Sequence, residues 1–118
     1  MPIIGERMRN LPAPPPAVFD DLVDPGRQPV RPWLDLLADE VPPTVLVAVP
    51  PARVMWATLW PRRPDARIEF FLTPARGGTD LRRRLTADEP LPDDSLTGHL
   101  RRRVNELIFA RLRYTYGQ

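Results

Sequence analysis

Few side chains in this sequence could do acid–base or metal chemistry. His99 is the single histidine and cysteine is absent, so a thiolate zinc site, a cysteine nucleophile and disulfides are excluded. His99 falls on the polar edge of its predicted helix, which indicates a solvated side chain. Adjacent acids occur as Asp20-Asp21, Asp88-Glu89 and Asp93-Asp94, next to prolines and helix starts, where acids usually cap or turn the chain. We therefore expect no metal site and no cofactor.

Arginine is the more informative residue type. All 17 basic residues are arginine and the net charge is +2. Triplets occur at 82–84 and 101–103, but strand neighbours alternate faces and consecutive helical residues spread around the axis, so neither triplet predicts one basic patch. We expect no nucleic-acid partner. Arg83 should share a face with Leu81 and Leu85, and Arg111 should fall inside the apolar arc of the last helix.

Each of these two arginines has two interpretations. A buried arginine needs a carboxylate to offset its desolvation, and a ligand could supply that acid group. Arg83 could instead extend its head to water or pair with Glu69 or Asp80. Arg111 near a helix C-terminus would stabilise the helix dipole in any case.

Hydrophobic periodicity supplies the elements that would position these side chains. It predicts a first strand over residues 2–10. A helix opened by prolines follows over residues 15–23, and a second short helix over residues 31–37. Four antiparallel strands in meander order follow, over residues 44–49, 53–60, 66–73 and 79–85. Gly77-Gly78 predicts a hairpin turn. A long amphipathic helix is predicted from the capping residues 92–95 to Gly117.

Composition bounds the class of protein. The 118 residues predict a single domain over 1–118. The 17 prolines concentrate before residue 65, between the predicted elements, where fixed φ angles cost little. No apolar run approaches the roughly 18 residues of a membrane span, and the N-terminus lacks the pattern of a signal peptide. We expect a cytoplasmic protein that does not span a membrane.

Several stretches resemble motifs of a known superfamily. Residues 11–19, LPAPPPAVF, are similar to its "AP-x-x-x-V-(W/F)" opening, and residues 49–56, VPPARVMW, to its "P-x-x-(V/L)-x-W" hairpin. Residues 68–72 with 78–81 resemble its "V-x-F-x-L-x-P-x-x-x-GT-x-L" strand pair, and the final helix ends Leu112-Arg113-Tyr114. The sequence thus resembles the SRPBCC (START-like) superfamily, in the branch of polyketide cyclases/dehydrases and lipid transport.

The resemblance implies an α+β helix-grip fold, in which a curved antiparallel sheet wraps around a long C-terminal helix and two short helices follow the first strand. Residues 33–44 leave little room for the strands that usually precede the meander, which implies a reduced sheet. The resemblance also implies that a hydrophobic or lipid-like small molecule binds in a cavity between the sheet and the C-terminal helix. The residues expected to line it are Trp33, Trp56, Trp60, Phe70, Leu81, Arg83, Leu100, Val104, Leu107 and Arg111.

Three alternatives stay open. The aromatic and aliphatic residues expected to line the cavity could instead belong to an ordinary hydrophobic core. The protein could be a small polyketide cyclase or dehydratase, which would need Arg83 or His99 to face inward with a shifted pKa. It could also be an interaction module without a ligand cavity, in which a second copy covers an exposed apolar surface, and we expect a homodimer.

Overall fold

The chain folds into an antiparallel sheet that packs against a long C-terminal helix. A computed structural model describes residues 2–25 and 33–117. Its elements are β1 (Ile3–Leu11), α1 (Pro15–Val23), β2 (Val45–Val49), β3 (Arg53–Trp56), β4 (Arg67–Ala75), β5 (Gly78–Thr86), α2 (Asp94–Asn105), a π-helical segment (Glu106–Leu112) and α3 (Arg113–Thr115). The five strands lie in the order β1-β5-β4-β3-β2. This arrangement confirms the predicted α+β helix-grip class.

The two faces of the sheet follow the predicted alternation. Phe70 of β4 lies opposite Arg83 of β5, and both are buried on the helix-facing side. On the outer face the guanidinium of Arg82 stacks on the Phe71 ring, 4.7 Å from its centroid. Glu6 of β1 accepts a hydrogen bond from Arg84 at 3.1 Å. The first arginine triplet is therefore divided between the two faces, as predicted.

One predicted helix is wrong in the part that the structure describes. Residues 31 and 32 lie outside the described residues, and 33–37 form no helix. The Asp35 N–H donates to the Trp33 carbonyl at 3.0 Å, which closes a tighter turn than a helix allows. The Leu37 N–H donates to Glu40 Oε1 at 2.9 Å. These amides therefore have partners other than the i−4 carbonyls of an α-helix.

The hairpin between β4 and β5 is confirmed, and its two glycines have different roles. Ala75 pairs with Gly78, so the turn consists of Arg76 and Gly77, which have φ angles of 51° and 76°. Positive φ at both central residues is the geometry of a type I′ hairpin turn. Gly78 lies against the backbone of Leu11, and a Cβ there would overlap the Leu11 carbonyl oxygen. Gly77 permits the turn, and Gly78 permits the close approach of β1.

The C-terminal helix begins and ends close to its predicted bounds but widens part-way along. The Asp93 carboxylate caps it by accepting the Leu96 N–H at 2.8 Å. Further on, the Arg113 N–H reaches the Ile108 carbonyl, a bond from residue i to i−5 that defines a π-helical turn. Among the described residues, no helix combines the length and apolar character needed to cross a membrane.

Candidate functional site

The predicted aromatic residues pack against one another in the core. Trp33, Trp56 and Phe70 are each at most 1% exposed. The rings of Trp33 and Trp56 are stacked with centroids 6.0 Å apart. Phe70 meets Trp56 edge-on at 4.9 Å. At these distances the rings fill the space between them, so a ligand would have to move them apart to sit there.

The indole nitrogens of Trp56 and Trp60 help to fix this aromatic cluster. Trp56 Nε1 donates to the Leu22 carbonyl at 2.8 Å, which ties β3 to α1. The strand predicted over 53–60 ends at Trp56, so Trp60 lies beyond β3, and its Nε1 donates to Glu40 Oε2 at 3.1 Å. The other predicted apolar positions are also buried: Leu81, Leu100, Val104 and Leu107. The structure therefore brings the predicted apolar residues together as core.

Arg111 is the predicted site residue that lies elsewhere. Its side chain is 46% exposed and pairs with Asp35 at 3.1 Å. An ideal α-helix would place residue 111 in the apolar arc. The π-helical segment holds more residues per turn, and it rotates later positions relative to that expectation. The inward position predicted for Arg111 is therefore wrong.

Arg103 is a buried arginine with a complete set of partners. Its Nε and Nη2 donate to the two oxygens of Glu40 at 2.9 and 2.7 Å. Burial opposes ionisation of Glu40, yet hydrogen bonds from Arg103, the Leu37 N–H and Trp60 keep its pKa below the usual value. The same pairing raises the pKa of Arg103. This ion pair holds the segment around residue 40 against the C-terminal helix.

Arg83 is also buried, but no counter-charge contacts it among the described residues. It is 1% exposed, and its Nε and Nη2 both donate to the amide oxygen of Asn105, at 3.3 and 2.7 Å. Its Nη1 is buried and has no hydrogen-bond partner in the described part of the chain. The carboxylates suggested as partners are used elsewhere, because Glu69 binds Arg53 and Asp80 binds Arg76. Burial, together with the charges of Arg101 and Arg7, lowers the pKa of Arg83 to about 10.

Four residues surround the Arg83 guanidinium, and we call the five together the arginine niche. Arg7 of β1 is its cross-strand neighbour, and Gly5 lies two residues earlier on the same face. Arg101 and Asn105 lie one turn apart on one face of α2. A Cβ at Gly5 would come within 3.0 Å of Arg83 Nη1 and 2.9 Å of Arg101 Cγ. The stem of Arg101 therefore passes over Gly5 and helps to cover Nη1.

A groove between β1 and the C-terminal helix adjoins this niche. Its volume is about 600 Å³. We call it the β1–helix groove, and its lining residues are Arg7, Arg9, Asn10, Asn105, Glu106, Phe109, Ala110 and Arg113. Phe109 and Ala110 give it an apolar floor on the π-helical segment. Arg7 and Asn105 belong both to this groove and to the niche, so the groove and the niche adjoin at these two residues.

His99 lies in a separate, more polar pocket. Its side chain is 35% exposed, and its Nε2 is 3.9 Å from Asp39. Asp39, Glu40 and His99 could in principle approach one metal ion. However, both oxygens of Glu40 already accept hydrogen bonds from Arg103, and this positive charge opposes a bound cation. The cluster therefore lacks a free third ligand.

Sequence reasoning found Arg83 but missed the groove beside it. Arg7 and Arg9 share a face with Gly5 and Leu11, so alternation along β1 could have placed them on the helix-facing side. Phe109 and Arg113 could not have been found in this way. Their common opening depends on the π-helical segment, for which the sequence carries no recognised signal.

Comparisons with known proteins give structural neighbours. No protein-family model matches the chain, and a search of curated proteins found no match. CalU16 from Micromonospora echinospora is 19% identical with a TM-score of 0.59, over 95% of this chain and 82% of that one. DynU16, a protein in the dynemicin biosynthetic locus, is 19% identical with a TM-score of 0.67, over 95% of this chain and 46% of that one.

A third neighbour is the Aha1 dimer from Colwellia psychrerythraea, solved in solution. It is 15% identical with a TM-score of 0.66, and the match covers 93% of this chain and 92% of that one. At these identities the likeness shows the fold alone. This fold agrees with the helix-grip fold that the sequence motifs implied.

Proposed function

We propose that the protein binds a small molecule with an apolar body in the β1–helix groove, between the sheet and the C-terminal helix. The observation that carries this proposal is the opening of about 600 Å³. This volume lies within the range typical of small-ligand sites, roughly 300–1,000 Å³. The helix-grip fold of the neighbours supports it, and one of them belongs to a biosynthetic locus. The tryptophan cluster then serves as the rigid core behind the site.

The floor of the groove suits an apolar ligand body. Phe109 is half-buried and offers part of its ring, and Ala110 is exposed beside it. Both lie on the π-helical segment, a distortion that is frequent at functional sites. The walls carry arginine and asparagine, which can orient a polar end of the ligand.

Binding is favoured over acid–base catalysis by the state of Arg83. With a pKa of about 10, this side chain is neutral in only about one molecule in a thousand at pH 7, following the tenfold change per pH unit. An efficient general base has a pKa near the working pH. Arg83 is therefore suited to hold charge and not to exchange protons.

The test is a titration with octan-1-ol, an uncharged apolar probe, followed by ¹H–¹⁵N NMR. We expect the amides of residues 105–113 and of β1 to shift. Ala110→Trp should fill the groove and abolish these shifts, whereas Ala52→Trp, at an exposed turn far along the chain, should leave them unchanged. Shifts that persist in Ala110→Trp would place the ligand outside the groove and contradict the proposal.

We also propose that two copies associate through β2. This strand ends the sheet in the described part of the chain, contains no charged residue, and exposes Leu46 and Val49. An uncharged edge strand is a template for pairing, and two identical strands can pair antiparallel across a two-fold axis. A solved neighbour is itself a dimer.

Light scattering after gel filtration tests the dimer. We expect a dimer for the wild type, a monomer for the Leu46→Lys/Val49→Lys variant, and a dimer for Ile3→Lys, which alters the opposite edge strand. A monomeric wild type at tens of micromolar would contradict this proposal without affecting the groove.

A further inference from the structure

We propose that the ligand of the β1–helix groove carries a carboxylate, and that this carboxylate binds the buried Nη1 of Arg83 beneath Arg101. This inference rests on the proposed function, because the body of the ligand is taken to lie in the groove. It adds the chemical class of the ligand and the residue that recognises it.

The first step of the argument is the missing acceptor. Of the three nitrogens of the Arg83 guanidinium, Nε and Nη2 share the single amide oxygen of Asn105, and Nη1 has no partner among residues 2–25 and 33–117. Buried arginines are ordinarily paired with an acceptor, and usually with a charged one. Arg103, on the C-terminal helix of the same fold, shows the ordinary case with Glu40. The unsatisfied nitrogen of Arg83 therefore indicates an acceptor from outside the described part of the chain.

The second step is the sign of the surrounding charge. Arg7 and Arg101 are the charged residues of the niche besides Arg83, and both are positive. The negative charge of Glu6, which binds Arg84 on the outer face, acts on Arg83 more weakly than these two arginines do. Arg9 and Arg113 extend the positive charge along the groove, where Glu106 is the one acidic lining residue. Glu106 also lies 3.6 Å from Arg103 Nη1, which partly neutralises it. The groove therefore attracts an anion and guides it towards Arg83.

The third step is the space at Nη1, which favours a carboxylate over a phosphate. One nitrogen of Arg83 is free, so a single oxygen can be bound there. The position of an added Gly5 Cβ lies only 3.0 Å from Nη1, so the space is shallow. A planar carboxylate can present one oxygen into such a space, whereas a tetrahedral phosphate is bulkier and is usually held by several donors.

The fourth step is access. Nη1 is covered partly by the stem of Arg101, whose Cγ lies 2.9 Å from the same Gly5 position. Arg101 is exposed and its side chain is flexible, so this side chain can rotate away from Nη1 at little cost in free energy. After such a rotation its guanidinium would be free to bind the second carboxylate oxygen. Arg101 thus covers Nη1 in the ligand-free protein and becomes a second ligand-binding residue in the complex.

The test compares octanoate with octan-1-ol, which has the same chain and no charge, by isothermal titration at pH 7.5 on protein freed of bound lipid. We expect octanoate to bind the wild type roughly tenfold or more tightly than octan-1-ol, the usual gain from a charged hydrogen bond. Arg83→Met should abolish this preference and retain octan-1-ol binding. Arg84→Met, the neighbour on the outer face, is the matched control and should keep the preference.

Gly5→Ala supplies a second variant that keeps every charge. Its methyl group would occupy the space next to Nη1, so we expect a weaker affinity for octanoate with little change for octan-1-ol. A preference for octanoate that survives both Arg83→Met and Gly5→Ala would overturn the proposal and assign the anion to the exposed arginines.

The remaining outcomes separate this inference from the proposed function. Equal binding of both probes by the wild type would overturn the carboxylate and leave the groove as the binding site. Failure of both probes to bind would refute the proposed function itself. Displacement of octanoate by inorganic phosphate at similar concentration would overturn the choice of a carboxylate, because it would show a general anion site.

Discussion

The two buried arginines should respond in opposite directions when each is replaced by methionine. Arg83 and Arg103 are 1% and 6% exposed, so each change removes a buried charge and leaves a side chain of similar length. Arg103 has Glu40 as its partner, and Arg83 has a neutral amide. The two substitutions therefore measure separately how much an uncompensated buried charge lowers the free energy of unfolding and how much a compensated one raises it.

The magnitude for Arg83 follows from its pKa. The lowering of the Arg83 pKa from the usual arginine value to about 10 corresponds to roughly 3 kcal/mol that opposes folding. The charged form is the less favourable one in the folded chain, so this penalty is complete at neutral pH and declines as the pH rises above about 10. Removing Arg83 also deprives Asn105 of its donors, which costs about 1 kcal/mol at a site next to the groove. We expect Arg83→Met to raise the free energy of unfolding by about 1–2 kcal/mol.

The expectation for Arg103 has the opposite sign. Arg103→Met would leave the carboxylate of Glu40, whose side chain is fully buried, without its cation. Breaking a buried pair in this way typically costs about 3–5 kcal/mol. Urea unfolding at pH 7, followed by tryptophan fluorescence on ligand-free protein, measures both variants. A loss of 1 kcal/mol or more in Arg83→Met would refute the view that this charge lacks compensation.

Three further changes test the fold around the site. Gly78→Ala would force a Cβ against the Leu11 carbonyl oxygen, and we expect a loss of about 1–3 kcal/mol in urea unfolding, with an unchanged stability contradicting the close approach. Asp93→Ala removes the acceptor of the Leu96 N–H and should cost about 1 kcal/mol, with a loss of helicity by circular dichroism. The pKa of Glu40 is lowered in the folded chain, so its contribution to stability is full above the unfolded value, about 4.3, and is lost as the pH falls through the folded pKa. Glu40→Gln should flatten the pH dependence of unfolding between pH 5 and 3, and an unchanged slope would show that Glu40 is not responsible.

Alternation along the strands was the reliable signal in the sequence. It placed Phe70 and Arg83 on the buried face and Arg82 and Arg84 on the other, because side-chain direction in a strand depends only on parity. The N-terminal cap at Asp93 was equally predictable from residue type. These local rules predict the sheet, the start of the C-terminal helix and the position of Arg83, the arginine on which the proposed site depends.

Contacts between distant residues were not predictable in this way. The segment 33–37 has an apolar pattern that favours a helix, but Glu40 takes the Leu37 N–H because Arg103, far along the chain, fixes that carboxylate. Arg111 was misplaced because the π-helical segment changes the helical period after residue 106. In both cases the outcome depends on packing that a single stretch of sequence does not encode.

The lengths of the strands explain why the opening lies beside β1 and not among the tryptophans. β2 and β3 have five and four residues, and the stacked rings of Trp33 and Trp56 close the fold at their end of the sheet. β1, β4 and β5 have nine residues each, and β1 forms an edge beside the C-terminal helix. A shortened sheet thus fills its interior with aromatic side chains, and the β1–helix groove opens where a long edge strand meets a widened helix. Arg83 contacts Asn105 and pairs across the strands with Arg7, and both of these residues line the groove, so the uncompensated charge and the opening that could admit its counter-ion adjoin one another.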